Sequence, residues 1–403
     1  MELENLISSF QLETLDDGWV ESVWENEFME LEELPTEYLS SEEFDMVVQD
    51  FKVEIKNVIL SCSAENNESL RIWDILGQHT KRLLPVIYYF INQGKVDSEN
   101  DESRSACLSA ASLYFLLLSI PGSSAYRVFR TLLFENALDC FKLSSLLKEE
   151  STGKKRIQDE DYDEGDNEGL FYGQKYQLAE GLNSALLDLL SLLKIFSLKD
   201  KQTSFELVVQ TLTSLTQVDN KISKLNFAWS HASKYNLPTH RNLDDLLHSL
   251  SYNAFVALYL LSRGRLHESD VACVEMVLDN LLPGLAWGGS LGTARERTIM
   301  RHNVLAFVRN CLLPIAKEQD ELEGTVLTLV RHLCGAVVRM ATDVRRLVKE
   351  LQDSMPNIII ALVERFKDVS PTVCGKALSA VSECASLPSI IDIICSSFDR
   401  ELE

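Results

Sequence analysis

The sequence SMPNIIIALVERFKDVSPTVCGKALSAVSECASL, residues 354–387, predicts two helices joined by a tight turn. Apolar residues recur at helical spacing on both sides of a D-x-x-P-x-V stretch that contains Asp368, Pro371 and Val373. Asp368 can accept hydrogen bonds from backbone amides at the start of the second helix, where negative charge also suits the helix dipole. Two alanines of the second helix are small enough to let the helices approach closely. This stretch therefore predicts an antiparallel helix pair.

The same periodicity occurs along most of the chain. Three further segments repeat apolar residues with the spacing of one helix face, residues 182–193, 243–261 and 326–340. We find no convincing alternation of period two, which a strand would require. Helices come in consecutive couples about 40 residues apart, the period of HEAT and armadillo arrays. A dozen or so helices could also form bundles, but the pairing favours an all-α, HEAT/armadillo-like α-solenoid of antiparallel helix pairs.

Helices are also predicted in the first 147 residues. Two short helices are expected in residues 16–29 and 42–60, and a longer one in residues 72–92, bent or ended near Pro85. Residues 103–119 are apolar on every side, which predicts a buried helix. The further expectations are a turn at Pro121-Gly122 and one helix over residues 124–147.

Charge divides the chain into four regions. The 403 residues carry a net charge of −23, and residues 1–70 hold 19 acidic residues against two lysines. Residues 148–175 are acidic and lack apolar periodicity, which is typical of disorder. We therefore predict an acidic N-terminal helical head (1–70), the first solenoid helices (71–147), a disordered acidic insert (148–175) and HEAT-like helical repeats (176–403).

Composition excludes several classes of protein. The chain has no apolar run of 18 residues, so no transmembrane helix and no membrane partner are expected. The N-terminus, MELENLISSF, is acidic and does not look like a secretory signal. Nine cysteines without a C-x-x-C motif predict reduced, mostly buried thiols of an intracellular protein.

The sequence contains no motif that would carry catalysis. Phosphate-binding, dinucleotide-binding, zinc-protease and serine-hydrolase patterns are all missing. The seven histidines show no metal-ligand spacing with one another or with cysteine. We therefore expect neither an enzyme nor a bound cofactor or metal.

Two sets of residues are candidates for binding. Trp19 and Trp24 lie five apart in an acidic amphipathic stretch, so they either anchor the head in the core or insert into a partner. A mildly basic region between residues 293 and 349 either contacts phosphate or is a solvated helix face. Its candidate phosphate contacts are Arg295, Arg297, Arg301, Arg345, Arg346 and Lys349.

Four segments resemble one known family. WVESVWENEF (19–28), SAASLYFLLLSIPGSSAYRVF (109–129), IFSLKDK (195–201) and DVSPTVCGKALSAVSECASL (368–387) are similar to the N-terminal part of the D-type HEAT-repeat (non-SMC) subunit of the condensin II complex. The second segment is the most specific, because it joins an aromatic-rich buried helix to a Pro-Gly turn.

The resemblance implies a non-catalytic regulatory subunit of condensin II. Such a subunit binds the kleisin and the two SMC ATPase subunits, acts with a second HEAT subunit, and works in mitotic chromosome condensation in the nucleus, on the chromosome. Contacts with chromatin, either DNA or histone tails, are also implied. Three departures stand out: Cys374 replaces the usual Arg of the turn, the insert is acidic, and the chain ends at Glu403 although the family continues, so we expect a fragment or a truncated product.

Two other functions compete with this one. The chain could be a different α-solenoid scaffold, such as a nuclear transport adaptor, since the helical pattern alone does not name a partner. An enzyme with an unrecognised all-α site would require titratable residues that converge in a cleft.

Overall fold

A computed structural model describes residues 2–30, 33–34, 38–61, 68–147, 165–218 and 242–263, short helical pieces at 273–274, 276–281, 303–304 and 306–312, and the single residues 374, 375, 378 and 382. Throughout these residues the regular structure is helical, with no strand, so the all-α prediction is confirmed. The chain forms two compact units. The first contains Met1–Asp219, Asn236–Leu260 and Gly264–Glu268, and the remaining residues form the second.

Ten α-helices follow one another in the described residues. They are α1 (Glu2–Ser9), α2 (Asp17–Glu25), α3 (Ser41–Ser61), α4 (Glu68–Val96), α5 (Asp101–Ser119), α6 (Ser124–Val128), α7 (Thr131–Asp139), α8 (Gly165–Leu193), α9 (Gln202–Leu215) and α10 (Leu243–Arg263). Short 3-10 helices span Leu12–Thr14 and Cys140–Leu147, and a π-helix spans Val308–Leu312.

Helix α5 is the centre of the first unit. It packs against α3, α4 and α8, and from Ala106 onward every one of its side chains is buried. Its first turn is closed by Asn100, whose side chain accepts hydrogen bonds from the backbone N–H groups of Glu102 and Ser103. A helix that is apolar all round can be stable only inside a core, so the burial predicted for residues 103–119 is confirmed from Ala106 onward, while Ser105 is exposed.

Helix α4 continues through Pro85 rather than ending there. Proline has no N–H, so the carbonyl oxygen of Lys81, four residues earlier, loses its partner within the helix. The indole Nε1–H of Trp24 donates to that oxygen across 2.8 Å. A side chain of α2 therefore satisfies the carbonyl that proline leaves open. Of the two alternatives predicted near Pro85, a bend or an end of the helix, the end is wrong.

The single helix predicted over residues 124–147 is also wrong. The chain is extended at Phe129 and Arg130, which separates α6 from α7, and the last eight residues form a 3-10 helix. The hydroxyl of Tyr114 on α5 accepts a hydrogen bond of 2.8 Å from the backbone N–H of Arg130, which replaces an intrahelical partner. Tertiary contacts therefore override the local helical pattern.

The turn at Pro121-Gly122 is confirmed. Gly122 has a φ of +126°, a conformation that favours glycine. The indole Nε1–H of Trp73 donates to the carbonyl oxygen of Pro121 across 3.2 Å and fixes the turn against α4.

Some of the predicted segments lie within the described residues and others lie outside them. Residues 148–164 lie outside the described residues, and residues 165–175 form the first three turns of α8. The patterns at 182–193 and 243–261 are confirmed as parts of α8 and α10. The pattern at 326–340 and nearly all of the predicted pair at 354–387 lie outside the described residues, as do the turn residues Asp368, Pro371 and Val373. The four-region division of the chain stays a prediction.

Candidate partner-binding surface

Three of the four segments that carry the family resemblance meet at one place in the first unit. Trp24 comes from the first segment, Tyr126 and Phe129 from the second, and Phe196 from the third. We call the outer side of this meeting point the Tyr126 surface. It consists of Trp24, Tyr126, Arg127, Arg130, Ile195, Lys199 and Lys201.

Stacked aromatic rings form the base of the Tyr126 surface. The ring of Phe196 stacks on Tyr126 with centroids 4.4 Å apart, and on Phe129 with centroids 5.3 Å apart. The backbone N–H of Ser197 donates to the Tyr126 hydroxyl across 3.1 Å. These contacts lock the loop after α8 onto the break between α6 and α7, because Phe129 and Phe196 are buried.

Cations lie over the rings. The guanidinium carbon of Arg130 is 4.8 Å from the centroid of Trp24, and the Lys201 Nζ is 4.4 Å from the centroid of Phe129. Arg130 also donates through Nη1 to the carbonyl oxygens of Arg127 and Phe129. Cation–π contacts of this kind hold a charge in place while leaving it unneutralised.

The structure describes only the first of the two predicted site groups. Trp19 is buried in the head, and its Nε1 has no hydrogen-bond partner among the described residues. Trp24 is half-buried, and its ring contacts Phe28 as well as Arg130. Both therefore contribute to the packing of the first unit, and their role in partner binding stays a prediction. The six predicted phosphate contacts, Arg295, Arg297, Arg301, Arg345, Arg346 and Lys349, lie outside the described residues.

Sequence reasoning missed the other members of the Tyr126 surface. Arg127 and Arg130 flank an aromatic residue in YRVFR, and Lys199 and Lys201 follow the aromatic residue of IFSLKDK. Both segments combine bases with an aromatic residue, which was the available signal. Their convergence could not be predicted, since it depends on how α8 packs beside α5.

A polar groove opens on another side of the first unit, between α3, α5 and α8. Its volume is about 570 Å³. Asp45 accepts hydrogen bonds from Ser105 Oγ at 2.6 Å, from Gln49 Nε2 at 3.0 Å, and from the Ser109 hydroxyl. The lining also contains other carboxylates, namely Glu42, Asp101, Glu102 and Glu180. No His or Cys is among the residues that line it, so its lining contains no Ser–His or Cys–His pair.

A buried ion cluster lies at the base of this groove. Asp188 is 1% exposed, and its carboxylate is 2.7 Å from Lys56 Nζ and 3.4 Å from Lys52 Nζ. Lys52 Nζ also donates to Ser184 Oγ at 2.9 Å, and the Ser112 hydroxyl donates to Asp188. Burial lowers the pKa of Lys52, and the charge of Asp188 opposes that shift. The cluster joins α3 to α8 and has a structural role.

Two buried thiols lie close together beside α5. The Sγ atoms of Cys107 and Cys140 are 3.1 Å apart, and Cys107 Sγ is 3.3 Å from the carbonyl oxygen of Ile91. The hydrogen bond to Cys140 and burial both raise the pKa of Cys107. A protonated, enclosed thiol is a poor nucleophile. The five cysteines among the described residues are free, and four of them are buried, as the sequence predicts.

The described residues contain neither a metal-binding cluster nor a membrane-spanning helix. Among them, no three His, Cys, Asp or Glu side chains are arranged to hold a metal ion. None of the helices that the structure describes is both long and apolar enough to span a bilayer. The Tyr126 surface presents the exposed cations Arg127 and Lys199 and the partly exposed ring of Tyr126.

Comparisons with known proteins identify relatives. Residues 19–170 match the family model for the N-terminal domain of condensin-2 complex subunit D3-like proteins. The chain is 26% identical over 255 residues to condensin-2 complex subunit D3-L of Xenopus laevis, an alignment that covers 55% of this chain and 17% of the relative. It is 25% identical over 369 residues to condensin-2 complex subunit D3 of Mus musculus, covering 80% of this chain and 23% of the relative.

The chain therefore spans less than a quarter of the length of either relative. No solved structure matches it. The matched region, residues 19–170, includes Trp24, Tyr126 and Arg130, and the mouse alignment covers most of the chain. The resemblance to the D-type HEAT-repeat subunit of condensin II, predicted from the sequence, is thus confirmed at modest identity.

Proposed function

We propose that this chain is part of a non-catalytic regulatory subunit of condensin II, a helical scaffold that binds kleisin and SMC partners. The observation that carries the proposal is the match of residues 19–170 to the N-terminal domain of condensin-2 complex subunit D3-like proteins. The all-α structure supports it, because paired helices present extended surfaces for binding.

Membership in the complex has consequences for partners and location. The partners are the kleisin, the two SMC ATPase subunits and the second HEAT subunit, with chromatin as a further contact through DNA or histone tails. The site of action is the chromosome in the nucleus, during mitotic condensation. Hydrolysis of ATP belongs to the SMC subunits, and this chain contributes binding.

Co-purification from mitotic cells tests the proposal. The tagged 403-residue chain is expressed, and the proteins that it retains after a salt wash are identified by mass spectrometry. We expect the kleisin and both SMC subunits of condensin II to be enriched over an unrelated tagged α-solenoid. Enrichment of nuclear import receptors in their place would instead support a transport adaptor, and the condensin assignment would then be abandoned.

A further inference from the structure

The Tyr126 surface carries cations that the first unit does not neutralise. Within the part of the chain that the structure describes, Arg127, Arg130, Lys199 and Lys201 form no ion pair, whereas Lys52, Lys56, Lys81 and Arg82 are all paired with carboxylates. Arg127 and Lys199 are exposed. In a chain with a net charge of −23, four unpaired cations at one place indicate an anionic ligand.

The same place also exposes apolar surface. Tyr126 is 48% exposed and Ile195 is 40% exposed, and both belong to the few large apolar side chains that are exposed in the described residues. One face of the Tyr126 ring packs on Phe196, and this contact holds the ring rigid. A rigid aromatic ring beside cations is the usual anchor of a protein–protein contact.

Charge around the Tyr126 surface limits the length of the anion. Asp200 lies between the two lysines, and Glu21 and Glu25 of α2 lie on the Trp24 side. A long polyanion that leaves the surface on that side would meet the head, where acidic residues outnumber basic ones by 17. A short ligand avoids this repulsion, because exposed charges beyond about 10 Å are screened.

Nucleic acid fits the surface less well than peptide. Single-stranded nucleic acid is bound on a series of rings that stack with successive bases, and here only Tyr126 combines a strongly exposed ring with neighbouring cations. Duplex DNA requires a broad basic face. We infer that the Tyr126 surface binds a short acidic peptide segment of a protein partner, with an apolar side chain of that segment against Tyr126 and Ile195.

A direct binding measurement tests this inference with the full chain. Fluorescence anisotropy is recorded with a labelled twelve-residue peptide of Asp and Glu with one central Phe, its Asn/Gln counterpart, a twelve-nucleotide single strand and a duplex. We expect the acidic peptide to bind about tenfold more tightly than the neutral one, with an affinity that falls as salt rises. Equal affinity for the two peptides, or tighter binding of either DNA, overturns the inference.

A pair of matched variants assigns the binding to this surface. Arg127→Glu with Lys199→Glu reverses two exposed cations whose side chains make no ion pair in the described residues, and it should weaken the acidic peptide by about tenfold. Lys142→Glu with Lys175→Glu changes the net charge equally at two residues outside the Tyr126 surface, with loss of the Lys142–Asp139 ion pair, and it should change affinity less than about twofold. Equal losses in the two double variants contradict a local site.

This inference rests on the proposed function, which supplies the protein partner. A photo-cross-linking experiment can distinguish failure of the inference from failure of the proposed function. Benzoylphenylalanine is placed at Ile195 in the tagged full chain, which is irradiated in mitotic extract. A cross-linked partner peptide with a net negative charge supports the inference. If condensin subunits co-purify but the cross-linked peptide is neutral or basic, or the adduct is DNA, the acidic-peptide inference fails and the proposed function stands.

Discussion

At the scale of single residues, Trp24 and Pro85 form one structural unit. Proline removes the donor that would reach the Lys81 carbonyl oxygen, and the Trp24 indole supplies another at 2.8 Å. The contact explains how a helix of 29 residues, α4, can hold an internal proline. It also means that Trp24 supports the head as well as bordering the Tyr126 surface.

The loss of stability caused by replacing the Trp24 indole should therefore depend on Pro85. We expect Trp24→Phe to lower the free energy of unfolding by about 1 kcal/mol, because one hydrogen bond at a partly exposed carbonyl is lost. The loss should be smaller in a Pro85→Ala background, where the backbone N–H at position 85 can donate to Lys81. Urea denaturation of the four proteins gives the coupling free energy. A cycle with Trp19→Phe serves as the control and should give no coupling.

The carboxylate of Glu43 closes the first turn of α3. It accepts a hydrogen bond of 2.9 Å from the backbone N–H of Ser40, while the Glu43 N–H donates to the Ser40 hydroxyl at 3.3 Å. These backbone and side-chain hydrogen bonds lower the pKa of Glu43 below its ordinary value of 4.5. The stabilisation is thus complete above that ordinary value and is lost as pH falls through the lowered pKa.

Glu43→Gln should make stability less dependent on pH in the acid range. The amide cannot titrate, so the decrease in Tm between pH 6 and pH 3 should be smaller than in the unaltered chain. Thermal unfolding followed by circular dichroism measures both slopes. Glu42→Gln is the neighbouring control and should keep the original slope, since its carboxylate makes no hydrogen bond to the helix start in the described residues. Identical slopes in the two variants would exclude this role for Glu43.

Asp188, unlike the exposed Glu43, is a carboxylate that is almost fully buried. Asp188→Asn leaves Lys52 buried without its counter-ion and should lower the free energy of unfolding by about 3 kcal/mol. Lys56→Gln removes a partner that is 42% exposed and should lower it by less than about 1 kcal/mol. Denaturant titration distinguishes the two values. Lys52→Met combined with Asp188→Leu should restore most of the loss, and a failure to do so would mean that the charges themselves are needed for the fold.

At the scale of helices, the packing of α4 on α5 depends on Gly94. A Cβ at this position would overlap the Cβ of Cys107 and the carbonyl oxygen of Ser103, both on α5. Gly77, earlier in α4, has open space where its Cβ would lie. The same substitution in one helix therefore tests close packing against helix propensity.

We expect opposite effects from the two alanine variants. Gly94→Ala should lower the free energy of unfolding by about 1–3 kcal/mol, because α4 and α5 must separate. Gly77→Ala should raise it by about 0.5–1 kcal/mol, because alanine restricts the unfolded chain and favours a helix. Chemical denaturation of both variants is the measurement. A stabilised Gly94→Ala variant would show that the two helices are not in close contact there.

The sequence predicts helices well where burial and periodicity agree. Helix α5 is apolar on every side, and α10 repeats leucine and alanine at helical spacing, so both were expected. The break at Phe129 was not, because it depends on the hydroxyl of Tyr114 from another helix. The passage of α4 through Pro85 depends in the same way on Trp24. Contacts between distant segments leave no local signal in the sequence, and so the convergence of the residues that form the Tyr126 surface and the Asp188 cluster could not be predicted.

At the scale of the whole chain, the acidic head belongs to the same compact unit as the helices that follow it. Helix α3 packs on α5, and its Phe44 and Phe51 are fully buried. The lysines of α3 neutralise Asp188 of α8. The exposed acidic residues of α3, Glu42, Glu43 and Asp50, therefore lie on the outside of a helix whose inner face completes the core. A strongly charged composition does not make this segment a detachable tail.

Removal of residues 2–61 should consequently destabilise the helices that are retained. The deletion uncovers the face of α5 that α3 buries, and it leaves Asp188 enclosed without Lys52 or Lys56, although α4, α5 and α8 are retained. We expect the shortened chain to bind a hydrophobic dye strongly, to lose cooperative unfolding and to self-associate on size-exclusion chromatography. Deletion of residues 2–9 alone removes α1, which packs on α3 at the edge of the unit, and should leave cooperative unfolding intact. A monomeric 62–403 chain with unchanged helix content and a sharp transition would show instead that the head is an independent appendage, and the solenoid would then begin at α4.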